Sequence, residues 1–259
     1  MFVARVKRRP APNDLRRYLL VDVSNSFTKL AFASAEKLGA THRVPTPRLT
    51  VPSLTTLLRR WKVDQVVASS VVPQKDALIR EAAKKIPVLF VSAKCELGVG
   101  VDYPQPSTIG ADRLANAAAV AALYGWPAVV VDFGTAVTFD VVSAECCYIG
   151  GVIAPGLEAM TSYLYNRTAL LPKLVLTEPR RAVGRSTKEA MMSGAIFGYR
   201  GLVQEILAKI CAEAFEKETA RVIATGGYAE LIARRLPAIE AVRPHLTLEG
   251  LRIIGNLNR

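Results

Sequence analysis

The feature that most constrains this fold is a pattern that occurs twice. Residues 20–29 read LVDVSNSFTK and residues 130–139 read VVDFGTAVTF, which places Asp22 and Asp132 110 positions apart. Each copy is an apolar run that continues into an Asp, a small residue and hydroxyl side chains. Burying such groups without partners costs about 2–7 kcal/mol each. The pattern therefore predicts two strand–turn–strand hairpins whose polar turns lie at the surface or face a bound ligand.

Two such hairpins at equivalent places indicate a duplicated α/β domain; the alternative is two unrelated polar turns. The Ala-rich run ADRLANAAAVAALYG predicts a helix that begins at residue 111 and stops at Gly125. After it the pattern of apolar strand and polar hairpin restarts. We therefore predict a basic N-terminal extension over 1–17, a first half over 18–124 and a second half over 125–259.

The composition restricts the class of protein. Hydrophobic residues make up 51% and charged residues 22% of the chain, which is typical of a globular protein. No apolar run is long enough for a membrane span, so we expect a soluble protein without a membrane partner. None of the four Cys residues forms a CxxC pair, which favours a cytoplasmic location. Only two His residues are present, which argues against a His-rich metal site or a Ser-His-Asp triad.

The net charge of +12 is distributed unevenly. Residues 1–17 contain six Lys or Arg residues against one acid, Asp14. This segment fits a solvated extension, a nucleic-acid-binding arm or a targeting segment. The remaining positive charge is compatible with an anionic substrate such as a nucleotide. It does not form the basic, aromatic-rich stripe that binds single strands, so nucleic acid is not an expected partner.

The two polar hairpins suit phosphate binding. A tight turn after a strand can present backbone N–H groups to an anion, and Ser or Thr hydroxyls add donors. An Asp at the strand end can hold a cation directly or through water. The sequence ATGG at 224–227 suggests a further strand-to-helix turn where glycines let the backbone approach a base or ribose; a plain packing turn is the alternative.

A candidate general base lies at the start of the predicted helix. Asp112 follows Gly110, and a helix N-terminus favours an ionised carboxylate that can accept a hydrogen bond. The alternative is a carboxylate that only caps the helix. The neighbouring Arg113 could bind a carboxylate or phosphate, or form a surface ion pair.

Several motifs together resemble one family. They are GADRLAN at 110–116, DFGTAVTFD at 132–140, GGVIAPGLEAM at 150–160 and GRSTKEAMMSG at 184–194, followed by ATGG and LTLEGL. This combination resembles the type III pantothenate kinases, members of the acetate/sugar kinase–Hsp70–actin superfamily. The resemblance implies a duplicated ribonuclease H-like (actin-like ATPase) α/β fold, with two similar halves around a nucleotide cleft.

The resemblance also implies an activity. It is the ATP-dependent phosphorylation of pantothenate to 4'-phosphopantothenate, the first step of coenzyme A biosynthesis. Magnesium and a monovalent cation, potassium or ammonium, are the implied cofactors. The implied assembly is a homodimer with the substrate pocket at its interface. Two alternatives remain open: a catalytically weak relative that acts as a regulatory or accessory binding protein, and a kinase of the same superfamily that acts on a sugar or acetate.

The same resemblance implies roles for individual residues. Asp112 would be the base on the primary alcohol, Asp132 would bind the monovalent cation and Asp22 would lie near magnesium. The implied pantothenate-binding residues are Tyr103, Gly110, Ala111, Asp112, Arg113 and, from the neighbouring subunit, Thr187. The implied ATP-binding residues are Asp22, Val23, Ser24, Asn25, Ser26, Phe27, Thr28, Lys29 and Thr135.

One residue departs from the family pattern. The first hairpin of the family usually reads Asp-x-Gly-Asn-Thr, whereas this chain has Ser24 at the glycine position. If this position required a positive φ, a non-glycine residue would cost roughly 1 kcal/mol or more. The departure would then weaken nucleotide binding. A separate series of small residues, Gly194, Gly198 and Gly201, suits close packing of the long predicted helix against another helix.

Overall fold

The computed structural model describes residues 16–215 and 218–259, which contain eleven strands and seven helices. The strands are β1 (Arg17–Val23), β2 (Phe27–Ser34), β3 (Leu38–Pro45), β4 (Gln65–Ser70), β5 (Val88–Phe90), β6 (Gly100–Val101), β7 (Ala128–Phe133), β8 (Ala136–Val142), β9 (Cys147–Pro155), β10 (Arg221–Thr225) and β11 (Ala241–Val242). The helices are α1 (Val51–Trp61), α2 (Pro73–Ala83), α3 (Ala111–Tyr124), α4 (Leu157–Arg167), α5 (Thr187–Ala214), α6 (Ala229–Ala233) and α7 (Leu246–Leu257).

The chain forms two compact units. Unit 1 comprises residues up to Gly125 together with 146–149 and 245–259, and unit 2 comprises 126–145 and 150–244. The sequence-based division had assigned everything after residue 124 to the second half. The difference arises because residues 147–148 pair with β6, and because α7 packs against the core of unit 1. Of the predicted N-terminal extension, residues 1–15 lie outside the described residues, and Arg17 already belongs to β1.

The sheet of unit 1 has the strand order β3-β2-β1-β4-β5. The first three strands form an antiparallel meander, and β4 and β5 then continue the sheet parallel to β1. The Pro- and Thr-rich segment 41–52 completes the edge strand β3 and begins α1. No residue of β3 is buried, so this strand carries no apolar run.

Unit 2 repeats this arrangement. Its strands follow the order β11-β10-β7-β8-β9, which is the order of unit 1 when β7 takes the place of β1. The strand β8 is antiparallel to β7, whereas β10 pairs parallel to β7 and β11 pairs parallel to β10. The hairpins β1–β2 and β7–β8 are therefore equivalent. This repeated topology confirms the predicted duplicated ribonuclease H-like α/β fold.

Side chains of β1 alternate between two cores. Leu19 and Val21 belong to a cluster formed with α1 and α2, whereas Tyr18 and Leu20 belong to a cluster formed with α3 and α7. Because successive side chains of a strand point to opposite faces, Asp22 lies on the face of the sheet that carries α3 and α7. The sheet thus places the first predicted carboxylate on the same face as the helix that begins with Asp112.

The core of unit 2 forms around α5. Ile196 and Tyr199 of this helix pack against Val131 and Phe133 of β7, and burial raises the pKa of Tyr199 to about 12. Near them the buried Arg200 guanidinium donates to both carboxylate oxygens of Glu178, at 2.9 and 2.6 Å. Although α5 is 28 residues long, no helix in the described part of the chain is long and apolar enough to cross a membrane.

Candidate active site

The carboxylate of Asp22 is buried at the end of β1 and is held by two neighbouring strands. Its side chain is 4% exposed. Ser69 Oγ on β4 donates to Asp22 Oδ1 at 2.7 Å, and Lys29 Nζ on β2 lies 3.9 Å from Asp22 Oδ2. A buried carboxylate of this kind is stable only with such partners, because desolvation of a charge is costly.

These residues belong to a polar row that crosses four strands. In the register of the sheet, Ser69 lies beside Asp22, Asp22 beside Lys29, and Lys29 beside Arg43 of β3. The guanidinium of Arg43 stacks over the ring of Phe27, 3.5 Å from its centroid. The row therefore places two cations on one side of the carboxylate and a hydroxyl donor on the other. The sequence analysis had not identified Ser69 or Arg43, since cross-strand neighbours are set by register and not by proximity in sequence.

The turn of the first hairpin is braced by Thr46. The Thr46 Oγ1 hydroxyl donates to the carbonyl of Ser24 at 2.6 Å, and the Thr46 N–H donates to the carbonyl of Ser26 at 3.1 Å. The hydroxyl of Thr28 is fully buried and lies 3.0 Å from that of Thr46. Asn25, Ser26 and Phe27 are exposed, so these residues and backbone groups of the turn are the accessible part of the predicted ATP-binding segment.

Ser24 does not adopt the strained conformation considered above. Among the described residues other than glycine, only Lys62, Lys84 and Cys146 have a positive φ. The equivalent residue of the second hairpin, Gly134, is not in the left-handed region either. The position therefore does not require glycine for its backbone angles.

The second hairpin is one residue shorter. Phe133 pairs with Val137, whereas in the first hairpin Val23 pairs with Thr28. The turn is closed by a hydrogen bond from Gly134 N to the carbonyl of Ala136 at 3.0 Å. Thr135, the predicted ATP contact, lies in this turn and is exposed, and its carbonyl accepts from the N–H of Gly156 at 3.2 Å.

The ATGG segment lies directly against this hairpin. Thr225 is beside Asp132 in the sheet, and Gly226 follows with a φ of 96°. A Cβ at position 226 would lie 2.6 Å from Asp132 Oδ1, so only glycine fits between this carboxylate and the backbone of β7. The ATGG motif is thus a close-packed turn, and its glycine contacts one side of the Asp132 carboxylate.

The start of α3 places Gly110 against the predicted base. A Cβ at Gly110 would lie 2.6 Å from Asp112 Oδ1, so a larger residue at this N-cap position would displace the Asp112 side chain. Asp112 Oδ1 accepts from the N–H of Arg113 at 2.9 Å, and both side chains are half-buried. The neighbouring Ala111 is buried against the core. The helix N-terminus therefore presents a carboxylate and a guanidinium side by side.

Tyr148 of β9 joins the other predicted substrate residues. The guanidinium of Arg113 lies 5.7 Å from the centroid of the Tyr148 ring, and the ring of Tyr103 lies 6.2 Å from it at an angle of 52°. Sequence reasoning missed Tyr148 because it lies in an apolar strand, remote in sequence from the GADR motif. Tyr148 itself is fully buried and supports Tyr103 and Arg113, which are half-buried and form the accessible amphipathic part next to Asp112.

Comparison with known proteins shows which family has these features. Residues 18–209 match the family described as type III pantothenate kinase. A type III pantothenate kinase from Akkermansia muciniphila is 51% identical over 242 residues, covering 93% of this chain and 99% of the relative. One from Methylacidiphilum infernorum is 41% identical over 239 residues, covering 92% of this chain and 88% of the relative. The chain belongs to the type III pantothenate kinase family.

Solved structures agree on the fold. A Campylobacter jejuni protein described as a Baf family transcriptional activator superimposes with a TM-score of 0.57 at 19% identity, covering 91% of this chain and 96% of that one. The ethanolamine utilization protein EutJ from Carboxydothermus hydrogenoformans gives a TM-score of 0.54 at 14% identity, covering 95% of this chain and 92% of that one. At these identities the likeness concerns the fold alone, and the family assignment rests on the sequence relatives.

A kinase of the type III pantothenate kinase family needs groups that can hold a metal–nucleotide complex. In the described residues no three His, Cys, Asp or Glu side chains converge on one point. Asp22 nevertheless fits magnesium, because Mg²⁺ on a nucleotide commonly takes one or two protein carboxylates together with phosphate oxygens and water. Asp132, with Gly226 packed against its oxygen, is the corresponding carboxylate of unit 2.

Thr187 is the remaining predicted site residue. It is the first residue of α5 in unit 2 and is exposed. Its helix is capped by Ser186, whose hydroxyl accepts from the N–H of Glu189 at 3.2 Å. The assignment of Thr187 to a substrate pocket of a neighbouring subunit stays a prediction.

Proposed function

We propose that this member of the type III pantothenate kinase family transfers the γ-phosphoryl group of ATP to the primary alcohol of pantothenate. The product is 4'-phosphopantothenate, and the reaction is the first step of coenzyme A biosynthesis in the cytoplasm. Two findings support the proposal: 51% identity to a type III pantothenate kinase over nearly the whole chain, and the Gly110–Asp112–Arg113 arrangement at the start of α3. This arrangement is the single observation that carries the mechanism.

Asp112 is the general base of the proposed reaction. Its carboxylate lies in the first turn of α3, where the helix dipole favours the ionised form. It accepts the proton of the pantothenate hydroxyl while that oxygen forms a bond to the γ-phosphorus. The bond from the γ-phosphorus to the bridging oxygen breaks, and ADP leaves with that oxygen and its electron pair. Phosphoryl transfer depends mostly on such positioning and on neutralisation of charge.

The two hairpins bind the phosphates in this proposal. The accessible turn residues of the first hairpin and Thr135 of the second donate to phosphate oxygens, and Lys29 contributes its positive charge. Asp22 would hold magnesium, directly or through water, and the ion would supply neutralisation of charge on the γ-phosphoryl group. Asp132 would hold potassium or ammonium. Gly226, which leaves no room for a side chain beside Asp132 Oδ1, supports a compact cation site there.

Tyr103 and Arg113 bind pantothenate in this proposal, supported from below by the buried ring of Tyr148. Arg113 pairs with the carboxylate of pantothenate, while the ring of Tyr103 packs against its aliphatic part. Thr187 of the partner subunit completes the pocket in a homodimer. The exposed face of α5 supports such an assembly, since Gly194, Gly198 and Gly201 have no neighbouring atoms within 4 Å of an added Cβ.

The deciding experiment measures ATP turnover by the purified protein with pantothenate, with sugars or acetate, and without an acceptor. We expect turnover only with pantothenate. Turnover with another acceptor would assign the protein to a different kinase activity. Binding of nucleotide or pantothenate without turnover would favour the regulatory alternative.

A substitution tests the base. Asp112→Asn keeps the shape of the side chain and its ability to accept from the N–H of Arg113, so the fold should be preserved. We expect turnover to fall by roughly 10²–10⁴-fold, the usual contribution of general base catalysis. The matched control is Asp64→Asn, which removes a carboxylate paired with Arg17 at the start of β1. Wild-type turnover by Asp112→Asn would exclude Asp112 from this role.

A further inference from the structure

The C-terminal motif LTLEGL lies in α7, and neither the sequence analysis nor the proposed reaction gives it a role. In unit 1 this helix packs against α3, which carries Asp112 in its first turn. A Cβ at Gly250 would lie 1.9 Å from the carbonyl oxygen of Ala115. The backbones of α3 and α7 therefore touch at this point, and glycine alone permits the contact.

A buried hydrogen bond lies beside this contact. Thr247 Oγ1 donates to Asn116 Oδ1 at 2.9 Å, and the two residues are 2% and 1% exposed. Asn116 is one helical turn after Asp112 and three residues after Arg113, so it lies on nearly the same side of α3. A shift at Asn116 is passed to Asp112 through a single turn of a regular helix.

The other side of α7 contacts the strand that carries Asp22. A Cβ at Gly255 would lie 2.8 Å from Val67 Cγ2 and 3.4 Å from Tyr18 Cε1. Tyr18 Oη donates to Asn256 Oδ1 at 2.9 Å, and Tyr18 precedes Asp22 by four residues on β1. The helix α7 thus contacts α3 about one turn after the proposed base, and it contacts β1 four residues before the proposed magnesium ligand.

We propose that α7 is the spacer that sets the distance between Asp112 and Asp22, and that Thr247 and Gly250 are positioning residues for phosphoryl transfer. The inference rests on the proposed function and deepens it. The reacting oxygen and the phosphoryl group must approach within about 3–3.5 Å, and a misplacement of about 1 Å can lower the rate 10²-fold. Because both flanking contacts of α7 are buried and close-packed, the spacing cannot relax without loss of packing.

The test compares four variants. Thr247→Val removes the hydroxyl at nearly constant shape, Thr247→Ser restores it, and Gly250→Ala forces the helices apart. Ile79→Val is the matched control, because Ile79 is equally buried but belongs to the cluster of α1 and α2 on the opposite face of the sheet. We measure kcat, the KM for each substrate and the melting temperature of every variant.

We expect Thr247→Val and Gly250→Ala to lower kcat by about tenfold or more, while KM for ATP stays within about twofold of the wild-type value. Thr247→Ser should recover most of the rate. Ile79→Val should lower the melting temperature to a similar degree as Thr247→Val but leave kcat unchanged. If Gly250→Ala does not accumulate as folded protein, Thr247→Val and its rescue decide the question. A kcat for Thr247→Val equal to that of Ile79→Val would overturn the proposal.

A second readout does not depend on activity. Amide hydrogen exchange of the first turns of α3 should accelerate in Thr247→Val and not in Ile79→Val, since only the former loosens α3. Unchanged exchange in α3 would also overturn the proposal. If the wild-type protein failed to phosphorylate pantothenate, the proposed function would fail, whereas the exchange comparison would still decide whether α7 fixes α3.

Discussion

Ser24 lies in the first hairpin at the position of Gly134 in the second, and its φ is not positive. The carbonyl of Ser24 accepts from Thr46 Oγ1, and this hydrogen bond holds the turn in place. The backbone argument for weakened nucleotide binding therefore does not apply. Any effect of Ser24 on ATP has to come from its side chain and not from conformational strain.

We expect the hydrogen bond from Ser69 to Asp22 to influence how tightly Asp22 binds magnesium. Ser69→Ala removes the donor to Asp22 Oδ1, and the loss of a buried hydrogen bond to a charged group costs about 1–3 kcal/mol. We predict that the magnesium concentration for half-maximal activity rises severalfold. Ser70→Ala is the control, since the hydroxyl of Ser70 donates to the carbonyl of Val72 instead. An unchanged magnesium titration for Ser69→Ala would show that Asp22 does not act through the metal.

A further prediction at the scale of single residues concerns cation binding by Asp132. If it holds a monovalent ion, activity should be high in potassium or ammonium and fall sharply in sodium-only or choline buffer. Asp132→Ala should abolish most of the activity together with most of this dependence. The measurement is turnover in each chloride salt at one ionic strength, which keeps screening constant. Equal rates in all four salts would contradict the assignment.

The exposed face of α5 allows a test of the homodimer at the scale of elements. Gly194, Phe197, Gly198 and Gly201 have the i, i+3, i+4, i+7 spacing of one helical face, and Phe197 is 39% exposed. Gly198→Lys has room within the protomer and improves helix propensity, so the subunit should remain folded. We predict a shift from dimer to monomer in light scattering.

The control for this experiment is Gln204→Lys, which adds the same charge at an exposed position on another side of α5. It should remain a dimer. A dimeric Gly198→Lys protein would show that the glycine face of α5 is not the contact between subunits.

Sequence patterns predicted most elements but not the arrangement that brings the site together. The apolar core strands and the Ala-rich helix α3 carry strong local signals, and both polar hairpins form as predicted. Strand β3 carries no such signal, because it is an exposed edge with little apolar periodicity. The packing of α7 depends on glycine contacts with α3 and β1, and the roles of Ser69 and Tyr148 depend on strand register and on side-chain contacts. Such information exists only after the chain has folded.

At the scale of the whole molecule, an ion pair fixes the long connection between α4 and α5 to the core of unit 2. Arg200 of α5 is buried and binds both oxygens of Glu178 and the carbonyl of Leu231, at 2.7 Å. The hydrogen bonds and charge of Arg200 hold the pKa of Glu178 below its usual value. A lowered pKa means that this stabilisation is present above the pKa of the unfolded chain and is lost as pH falls through the lowered value.

Glu178→Gln should therefore destabilise the protein at neutral pH, by about 1–2 kcal/mol since Glu178 is 41% exposed and partly screened. The difference from wild type should shrink as pH falls from about 7 to about 3. Denaturant unfolding at several pH values measures it. Glu205→Gln, which breaks an exposed pair with Lys209, is the control and should have little effect at any pH. A pH-independent difference would mean that the charge of Glu178 is not what matters.

The grouping of residues 245–259 with unit 1 has a consequence for the order in which the protein matures on the ribosome. Domains usually fold as units while synthesis proceeds from the N-terminus. Here the β-meander and α3 emerge early, but α7, which covers one face of their sheet, is translated after all of unit 2. The face of unit 1 that carries α3 therefore stays incompletely packed until unit 2 has been synthesised. The contacts of α7 that support α3 and Asp112 form only after that point, so the proposed site of unit 1 is completed after both units have been made.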